Sequence, residues 1–320
     1  RCLKLAWTLP VESSGKRKRP KLWQLIVPAC VLARDAKTRG ITRFHVHTCS
    51  NAAILCMMTR RLIGTPFSLT LNANINWWGG AMAEKFADAD FTIAITQWLL
   101  DEMQRDYPQL RPGQRLLGRI GVDTDKWTPA EARPPSADGT MRIFSLGRLH
   151  ISKGHWVLLR AMKLLRDRGI ETRLRVAGDG PERANIEKLI AELGLRDCVT
   201  LLGSQSEDVC IAEMRAADVF VLSSDAEPLG VVYMEAMSAG VPTVGTAAGG
   251  VAEIITDGVD GVLVPPKSPE ALADALEQLA RDPQRREQLG KAGRESIIRN
   301  FDARIGASTL YERMFGAAPR

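Results

Sequence analysis

Short apolar runs alternate with longer amphipathic stretches along most of the chain, a pattern typical of parallel β-sheets connected by helices. In the first half, the pattern predicts strands at 41–47, 67–71 and 91–96, and helices at 52–63, just after residue 80 and at 97–105. In the second half it predicts strands at 142–146, 173–177, 199–202, 219–222, 243–245 and 262–264, with helices at 156–168, 182–193, 209–216 and 231–239 and two polar helices at the end. The second half therefore predicts a complete doubly wound α/β domain, whereas the first half shows too few strands for one.

Residues 128–140 separate the two halves, because this stretch is rich in Pro, Ala and small polar residues and has no hydrophobic period. The expected domains are residues 1–135 and 136–300, followed by a carboxy-terminal helix over 301–320 that packs back toward the first domain. The chain starts at Arg1 rather than at a methionine, and its first half is short of strands. We therefore expect the amino-terminal domain to be incomplete.

No apolar stretch approaches the roughly 20 residues that cross a bilayer. The longest, residues 25–33, ends at Arg34 and Asp35. The opening segment has neither the apolar core nor the small-residue cleavage site of a signal peptide. The six cysteines are scattered without a C-x-x-C pair, which favours buried thiols over a disulfide framework. These features predict a cytoplasmic protein.

Charge is unevenly distributed along the chain. Residues 1–140 hold 20 Lys and Arg against 12 Asp and Glu, while the remaining residues hold 23 against 25, within a net charge of +6. One interpretation is a solvated basic face. The other is attraction to an anionic surface, such as the inner face of a membrane or a phosphate-bearing lipid acceptor. Nucleic acid is disfavoured, because the basic residues are not interleaved with aromatics on one recognisable module.

The loop at 147–154 follows the first predicted strand of the second half and carries two cations, Arg148 and Lys153. Open parallel sheets bind ligands beyond the carboxyl ends of their strands, so these side chains are placed to bind a diphosphate. Arginine offers a planar fork of donors and lysine a compact charge, and both stabilise the negative charge on a departing nucleotide diphosphate. Surface cations without a ligand are the alternative interpretation of a single such loop.

The turn at 178–182 reads GDGPE, and its glycines, Gly178 and Gly180, let the backbone approach a ligand closely. A dinucleotide fingerprint would need another glycine at position 183, where Arg183 stands. The nicotinamide-binding interpretation therefore loses its main support.

The segment at 227–242 reads EPLGVVYMEAMSAGVP, with Glu227 in the loop before a predicted helix and Glu235 within that helix. Ionised carboxylates only accept hydrogen bonds, which suits them to sugar and ribose hydroxyls. Gly230 lets the amino end of the helix approach a phosphate, where free N–H groups and the helix dipole favour an anion. Taken alone, the segment would also fit one surface glutamate and one capping glutamate.

The G-R-L-x(3)-K-G loop, the G-x-G-P-E turn and the E-P-x-G-x(4)-E-A-M-x-x-G-x-P block follow one another in that order. In this respect the sequence resembles the family 4 retaining glycosyltransferases, including the exopolysaccharide and colanic-acid type enzymes, over about residues 41–315. The resemblance implies the GT-B fold, an α/β architecture of two Rossmann-like doubly wound domains that face a central cleft. It assigns the acceptor to residues 1–135 and the nucleotide-sugar donor to residues 136–300.

The same resemblance implies the roles of the site residues. Arg148 and Lys153 would bind the donor diphosphate, Glu227 would contact the donor sugar hydroxyls, and Glu235 would hold the ribose. The implied catalytic residues are Glu227, Arg148 and Lys153, and the implied donor-binding residues are Gly147, Gly178, Gly180, Leu229, Gly230, Val231 and Glu235.

Two positions in the first half are acceptor-side candidates. His47 matches a histidine that ends the corresponding strand in relatives, and Asn72 stands where relatives commonly have the histidine of a T-x-H sequence. Asparagine donates a hydrogen bond to a sugar oxygen but does not titrate near neutrality, which leaves a changed hydrogen-bond role or a weakened catalyst. The Gly-rich acceptor-side loop of relatives has no clear counterpart before Ile41.

We expect no metal and no other cofactor. The D-x-D pair at 88–90 precedes a predicted strand, where a metal-holding pair would follow one, and the pair at 123–125 sits in a turn. His45 and His47 share one face of a strand, but no nearby Cys or acidic residue completes a metal site.

The predicted function is transfer of a sugar from a nucleotide diphosphate sugar to a carbohydrate or lipid-linked saccharide acceptor in polysaccharide biosynthesis, with retention of configuration. Two alternatives stay open. One is a catalytically silent nucleotide-sugar-binding subunit that partners an active enzyme, and the other is a sugar-nucleotide epimerase on the same scaffold.

Overall fold

The computed structural model describes residues 22–78, 80–131 and 139–316. The chain forms two compact units, Arg1–Arg119 and Ile120–Arg320. The domain limits at 135 and 300 stay predictions, and most of the predicted linker, residues 132–138, lies outside the described residues. Within the described ranges, no helix is both long enough and apolar enough to cross a membrane.

Unit 1 contains a four-stranded parallel sheet whose strands follow chain order. Its strands are β1 (Phe44–Val46), β2 (Phe67–Leu71), β3 (Thr92–Ala94) and β4 (Arg115–Leu117). Its helices are α1 (Ile26–Thr38), α2 (Asn51–Ile63), α3 (Met82–Asp88) and α4 (Gln97–Asp106), with short 3-10 helices at Leu22–Leu25, Ile75–Trp78 and Pro112–Gln114.

Two elements of unit 1 were not expected from the sequence. Helix α1 buries only three alanines, Ala29, Ala33 and Ala36, while the larger Val27 and Val31 are exposed, so no core-facing stripe stands out from this apolar stretch. Strand β4 has three residues and none of them is fully buried. Both elements therefore lack the strong apolar period on which a sequence-based prediction depends.

Unit 2 contains a six-stranded parallel sheet in the order β10-β9-β8-β5-β6-β7. Its strands are β5 (Met141–Leu146), β6 (Thr172–Ala177), β7 (Val199–Gly203), β8 (Val219–Leu222), β9 (Thr243–Thr246) and β10 (Val262–Val264). Its helices are α5 (His155–Asp167), α6 (Arg183–Glu192), α7 (Glu207–Ala216), α8 (Val231–Ser238), α9 (Pro269–Arg281), α10 (Pro283–Asn300) and α11 (Ala303–Phe315), with 3-10 helices at Ile151–Lys153 and Gly249–Glu253. This strand order makes unit 2 doubly wound, as the sequence predicts.

The end of the chain forms three helices rather than the two that were predicted. Asp282 ends α9 and accepts a hydrogen bond from the Arg285 N–H at the start of α10, where Pro283 fills the first turn. Asp302 caps α11 in the same way, accepting from the Arg304 N–H. These two aspartates start new helices within a polar stretch for which the hydrophobic period alone predicts fewer helices.

The core of unit 2 lies between the central strands and the helices that cross them. All four residues of β8 are buried, whereas β6 alternates buried and exposed residues over its first four positions. A fully apolar run such as β8 is typical of a central parallel strand covered on both faces. The buried run ends at Leu222, and the loop that carries Glu227 starts at the next residue.

Candidate functional site

The strand order of unit 2 reverses at one place, between β5 and β8. From β5 the chain builds β6 and β7 on one side and then returns to build β8, β9 and β10 on the other. The loops that leave the carboxyl ends of β5 and β8 therefore run in opposite directions and leave a crevice, the usual ligand site of such sheets. These loops, at 147–154 and 223–230, carry six of the ten residues predicted to be catalytic or donor-binding.

The loop after β5 is hydrogen-bonded to the loop after β8 and packs closely against it. Gly154 has φ 63°, and a Cβ atom there would lie 1.9 Å from the carbonyl oxygen of Ser223. The Ser223 hydroxyl donates to the Gly154 carbonyl over 2.7 Å, and the Asp225 N–H donates to the Ser152 carbonyl over 2.8 Å. Position 154 therefore requires glycine, and this contact places Lys153 beside the β8 loop.

The loop after β5 is also packed against the turn after β6. A Cβ atom on Gly178, whose φ is 136°, would lie 1.9 Å from the Gly147 carbonyl oxygen, and one on Gly180 would lie 2.3 Å from the Leu149 carbonyl oxygen. The Leu149 N–H donates to the Asp179 carbonyl over 2.9 Å. This packing explains the glycines at 178 and 180 without any ligand, so their donor-binding role and that of Gly147 stay predictions.

Two of the three predicted catalytic side chains are in contact. The Lys153 ammonium donates to Glu227 Oε2 in an ion pair that joins positions 74 residues apart. The side chains are 24% and 11% exposed, so water screens the pair only partly. The Ser224 hydroxyl lies 3.4 Å from the same Glu227 oxygen. The pair is electrically neutral, and an anionic ligand entering the crevice would compete with Glu227 for the ammonium group.

A third loop holds the backbone of Glu227. The Gly250 N–H donates to the Glu227 carbonyl over 2.9 Å. Gly249, with φ 64°, approaches so closely that a Cβ atom would lie 2.2 Å from that carbonyl oxygen. The Thr246 hydroxyl, at the end of β9, donates to the Ser224 carbonyl. The carboxyl ends of β5, β8 and β9 thus all contribute to the position of Glu227.

Helix α8 begins immediately after this loop. Gly230 has φ 84°, and a Cβ atom there would lie 2.4 Å from the Tyr233 ring. Tyr233 is fully buried and donates from its hydroxyl to the Leu222 carbonyl over 2.7 Å, and this burial raises the pKa of the phenol. Leu229 is buried, while Val231 is 37% exposed. The first turn of α8 therefore starts at the crevice, where its free N–H groups favour an anion.

Glu235 lies on α8, one turn beyond the helix start, and is half-buried. Burial raises the pKa of its carboxyl group to about 7, and the negative charge of Glu207 adds to the shift. Glu207 itself pairs with Lys126. Among the described residues, the Glu235 carboxylate has no hydrogen-bond partner.

Arg148, the third predicted catalytic residue, is exposed in the loop after β5. Within the described part of the chain it pairs with no carboxylate. Its loop is the one that carries Lys153, but contact with a diphosphate stays a prediction.

Sequence reasoning did not single out Ser223, Ser224 or His155. The two serines follow the apolar run of β8 directly, and this abrupt change from apolar to hydroxylated residues at a strand end was the available signal. His155 begins α5 and is buried, and neither ring nitrogen has a partner among the described atoms. Burial, followed by the charge of Lys153, lowers the pKa of His155 to about 4, so the ring is neutral at physiological pH.

In unit 1, His45 uses both ring nitrogens within the sheet. Nδ1 and Nε2 each lie 2.9 Å from a hydroxyl oxygen, of Ser68 and Thr70 respectively. Burial, with a smaller contribution from His47, lowers the pKa of His45 to about 4. His47 is exposed and meets the His45 ring edge-on, with centroids 4.6 Å apart. Of the two, His47 is the one whose exposure leaves it accessible to a substrate.

The other acceptor-side candidate, Asn72, follows β2 directly. Its Oδ1 atom is buried and has no hydrogen-bond partner among the described groups. Leaving a buried acceptor unpaired costs free energy, which a hydroxyl donor from a ligand would recover.

No group of three or more His, Cys, Asp and Glu side chains gathers in metal-binding geometry within the described ranges. Asp88 and Asp90, one of the two D-x-D pairs, form ion pairs with Arg61 and Arg60. The expectation that no metal is needed stays a prediction.

A cavity of about 740 Å³ lies at the amino ends of β8 and β9, away from the crevice. Its lining includes Asp218, which precedes β8, and Gly240, which precedes β9, together with Arg286 and Arg294 of α10. Ligands of open parallel sheets bind at the opposite edge, so we assign the function to the crevice and not to this cavity.

Known proteins resemble this chain in sequence and in fold. The family model for glycosyl transferases group 1 matches residues 129–296, more than half of the chain. The alpha-D-kanosaminyltransferase of Streptomyces kanamyceticus is 30% identical over 276 residues, which cover 78% of this chain and 70% of that protein. The chain therefore belongs to the group 1 glycosyltransferases, whose relatives include the predicted colanic-acid type enzymes.

A second relative is the GDP-mannose-dependent alpha-(1-6)-phosphatidylinositol monomannoside mannosyltransferase of Mycolicibacterium smegmatis, 32% identical over 213 residues. That match covers 61% of this chain and 55% of the relative, so this chain spans little more than half of the relative's length. The crystal structure of Anabaena Alr3699/HepE in complex with UDP superimposes with a TM-score of 0.77 at 20% identity, covering 92% of this chain and 84% of that one. Such structural neighbours confirm the predicted GT-B fold.

Proposed function

We propose that the protein transfers a sugar from a nucleotide diphosphate sugar to a saccharide acceptor, free or lipid-linked, with retention of anomeric configuration. The observation that carries the proposal is the Lys153–Glu227 pair at the strand-order reversal of unit 2. Membership of the group 1 glycosyltransferases supports it, as do a relative that depends on GDP-mannose and a structural neighbour that holds UDP.

In the proposed donor complex, the diphosphate displaces Glu227 from the Lys153 ammonium group. Arg148, in the same loop, adds a planar fork of donors to the phosphate oxygens. The two cations stabilise the charge that grows on the diphosphate as it departs. Glu227 is then released to accept hydrogen bonds from the donor sugar, and Glu235 accepts them from the ribose.

Retention follows if the acceptor oxygen attacks the face of the anomeric carbon that the diphosphate leaves. The bond from the anomeric carbon to the phosphate oxygen breaks, the bond to the acceptor oxygen forms, and the departing phosphate oxygen takes the acceptor proton. This step needs no carboxylate nucleophile, and the positive charge that a metal would supply comes from Lys153 and Arg148.

Acceptor binding is proposed for unit 1, where His47 is exposed and Asn72 carries an unpaired buried oxygen. The basic balance of residues 1–140 supports work at the inner face of an anionic membrane on a lipid-linked saccharide of polysaccharide biosynthesis. Nucleic acid is not proposed as a partner.

The test has two stages on the full chain. A thermal-shift screen of UDP-, GDP- and ADP-sugars identifies the donor, because a ligand stabilises the protein according to its concentration relative to its dissociation constant. Transfer to methyl glycosides is then measured by release of the nucleoside diphosphate. Lys153→Met should lower the rate by about 100-fold, the usual loss when one preorganised charge-stabilising group is removed.

Lys163→Met is the matched control. Lys163 lies on α5, the helix that follows the loop of Lys153, and pairs with Asp167 on the exposed face. The control should transfer at the native rate, and a Lys153→Met protein that does the same would contradict the proposal. Donor binding without turnover by the native chain would instead favour the silent-subunit alternative, and donor conversion without any acceptor would favour an epimerase.

A further inference from the structure

Ser224 is a fully buried residue in contact with the Lys153–Glu227 ion pair. It is the second residue after β8, and its hydroxyl donates to Glu227 Oε2 over 3.4 Å. The same oxygen accepts from the Lys153 ammonium group. Within the described ranges, these are the two side chains that donate to the Glu227 carboxylate. When the ammonium group binds another anion, the Ser224 hydroxyl is therefore the remaining side-chain donor.

The backbone of Ser224 is held by a neighbouring strand and a neighbouring loop. The Thr246 hydroxyl, fully buried at the end of β9, donates to the Ser224 carbonyl. On either side, Ser223 and Asp225 are hydrogen-bonded to the loop after β5 over 2.7 and 2.8 Å. None of these three bonds involves an atom of the ion pair, so opening the pair should leave the Ser224 backbone where it is.

Glu227 needs a donor once the ion pair has opened. Glu227 is only 8% exposed, and a buried charged group without hydrogen bonds is costly. If a nucleoside diphosphate alone binds Lys153, water in the place of the sugar can hydrate the carboxylate. In the complex with a sugar nucleotide, the sugar displaces that water, and Glu227 Oε2 keeps only the Ser224 hydroxyl as a side-chain donor. The separation of 3.4 Å is long for such a bond and allows it to shorten when the ammonium group leaves.

We propose that Ser224 is a positioning residue, which orients the Glu227 carboxylate toward the donor sugar after the diphosphate has bound Lys153. The inference rests on the proposed function and deepens it, because it separates recognition of the sugar from recognition of the diphosphate. Ser224 should contribute to binding of the sugar through Glu227 and contribute little to binding of the diphosphate.

The test compares the full native chain with Ser224→Ala, Ser224→Cys and the control Ser145→Ala. Ser145 lies on β5 and is equally buried, and its hydroxyl has no hydrogen-bond partner among the described atoms. Ser224→Cys keeps a side chain of similar size but replaces the hydroxyl by a weak donor, so it decides the question if the alanine variant does not fold.

Isothermal titration calorimetry gives the Kd of each protein for a sugar nucleotide and for the matching nucleoside diphosphate. The pairs are UDP-glucose with UDP, GDP-mannose with GDP, and ADP-glucose with ADP. Both Ser224 variants should bind the sugar nucleotide about tenfold more weakly, the loss of one hydrogen bond to a charged group. They should bind the nucleoside diphosphate nearly as the native chain does, and Ser145→Ala should bind both ligands with native affinity.

A double substitution tests whether the serine acts through the glutamate. In a Glu227→Ala background, Ser224→Ala should weaken binding of the sugar nucleotide no further, because the carboxylate that it orients is gone. A tenfold loss that persists in this background overturns the inference. Equal weakening of both ligands overturns it, as does an unchanged ratio of the two Kd values in the Ser224 variants. A native chain that binds none of the pairs would instead refute the proposed function itself, and the inference with it.

Discussion

The ionisation of Glu235 should make the stability of the protein fall as pH rises toward neutrality. Its carboxyl pKa is raised from 4.5 to about 7, first by burial and then by the charge of Glu207. Between these two values the folded protein keeps a proton that the unfolded chain has lost. Since stability decreases with pH wherever the native state binds more protons, the free energy of unfolding should fall over this range.

The size of the effect follows from the two pKa values. A shift of one pKa unit corresponds to about 1.4 kcal/mol. Most of the change in stability that arises from the shift from 4.5 to about 7 occurs between pH 5 and pH 8. The ionised Glu235 should therefore cost about 2.5 kcal/mol of stability at pH 8 relative to pH 5. Glu235→Gln removes the titration and should lack this part of the pH dependence.

Urea unfolding of the native chain and of Glu235→Gln at both pH values measures the difference directly. Glu207→Gln is the control for the cause of the shift: it removes the smaller contribution, so a reduced pH dependence should persist. If the free energies of unfolding of native and Glu235→Gln protein change in parallel between pH 5 and pH 8, the argument from burial is wrong.

Three further substitutions test the packing around the two sites. Gly169→Ala should lower the free energy of unfolding by roughly 1–2 kcal/mol, the cost of left-handed backbone for a residue with a side chain. Gly154→Ala should lower it by well over that amount, because a Cβ atom at 154 meets backbone at 1.9 Å whereas one at 169 meets nothing within 4 Å. Equal losses in urea unfolding would contradict this. Burial lowers the pKa of Lys85 from 10.5 to about 8, so between these pH values the unfolded chain holds a proton that the folded protein has lost. The free energy of unfolding of the native chain should therefore rise by about 2.5 kcal/mol relative to that of Lys85→Met from pH 7 to pH 10. A constant difference between the two proteins would contradict this. Tyr233→Phe should cost about 1 kcal/mol by removing the buried hydrogen bond from the Tyr233 hydroxyl to the Leu222 carbonyl, and an unchanged urea midpoint would show that the hydroxyl contributes nothing.

Strands with strong local signals were predicted with their full bounds. Residues 67–71, 219–222 and 262–264 are short apolar runs between turn residues, and they form β2, β8 and β10 as expected. Helix α1 and strand β4 escaped prediction because one buries only alanines and the other has three half-exposed residues. Burial by partners distant in sequence, rather than local pattern, decides such elements.

In the candidate site, too, the sequence identifies residues but not the contacts between them. The order of the loops identified Lys153 and Glu227 separately, and the structure joins them in one ion pair. Their contact depends on how Gly154 packs against Ser223, which no local pattern specifies. The high pKa of Glu235 depends on its burial and on Glu207, which is 28 positions earlier in the sequence and is brought close by the fold.

We expect a pyrophosphate to bind where the strand order of unit 2 reverses. A crystal structure of the full chain with the sugar nucleotide that stabilises it most would test this directly. The phosphate oxygens should lie within hydrogen-bond distance of Lys153 Nζ and of the first turn of α8, and Glu227 should contact the sugar. A pyrophosphate bound instead between Arg286 and Arg294, in the cavity at the opposite edge of the sheet, would contradict it.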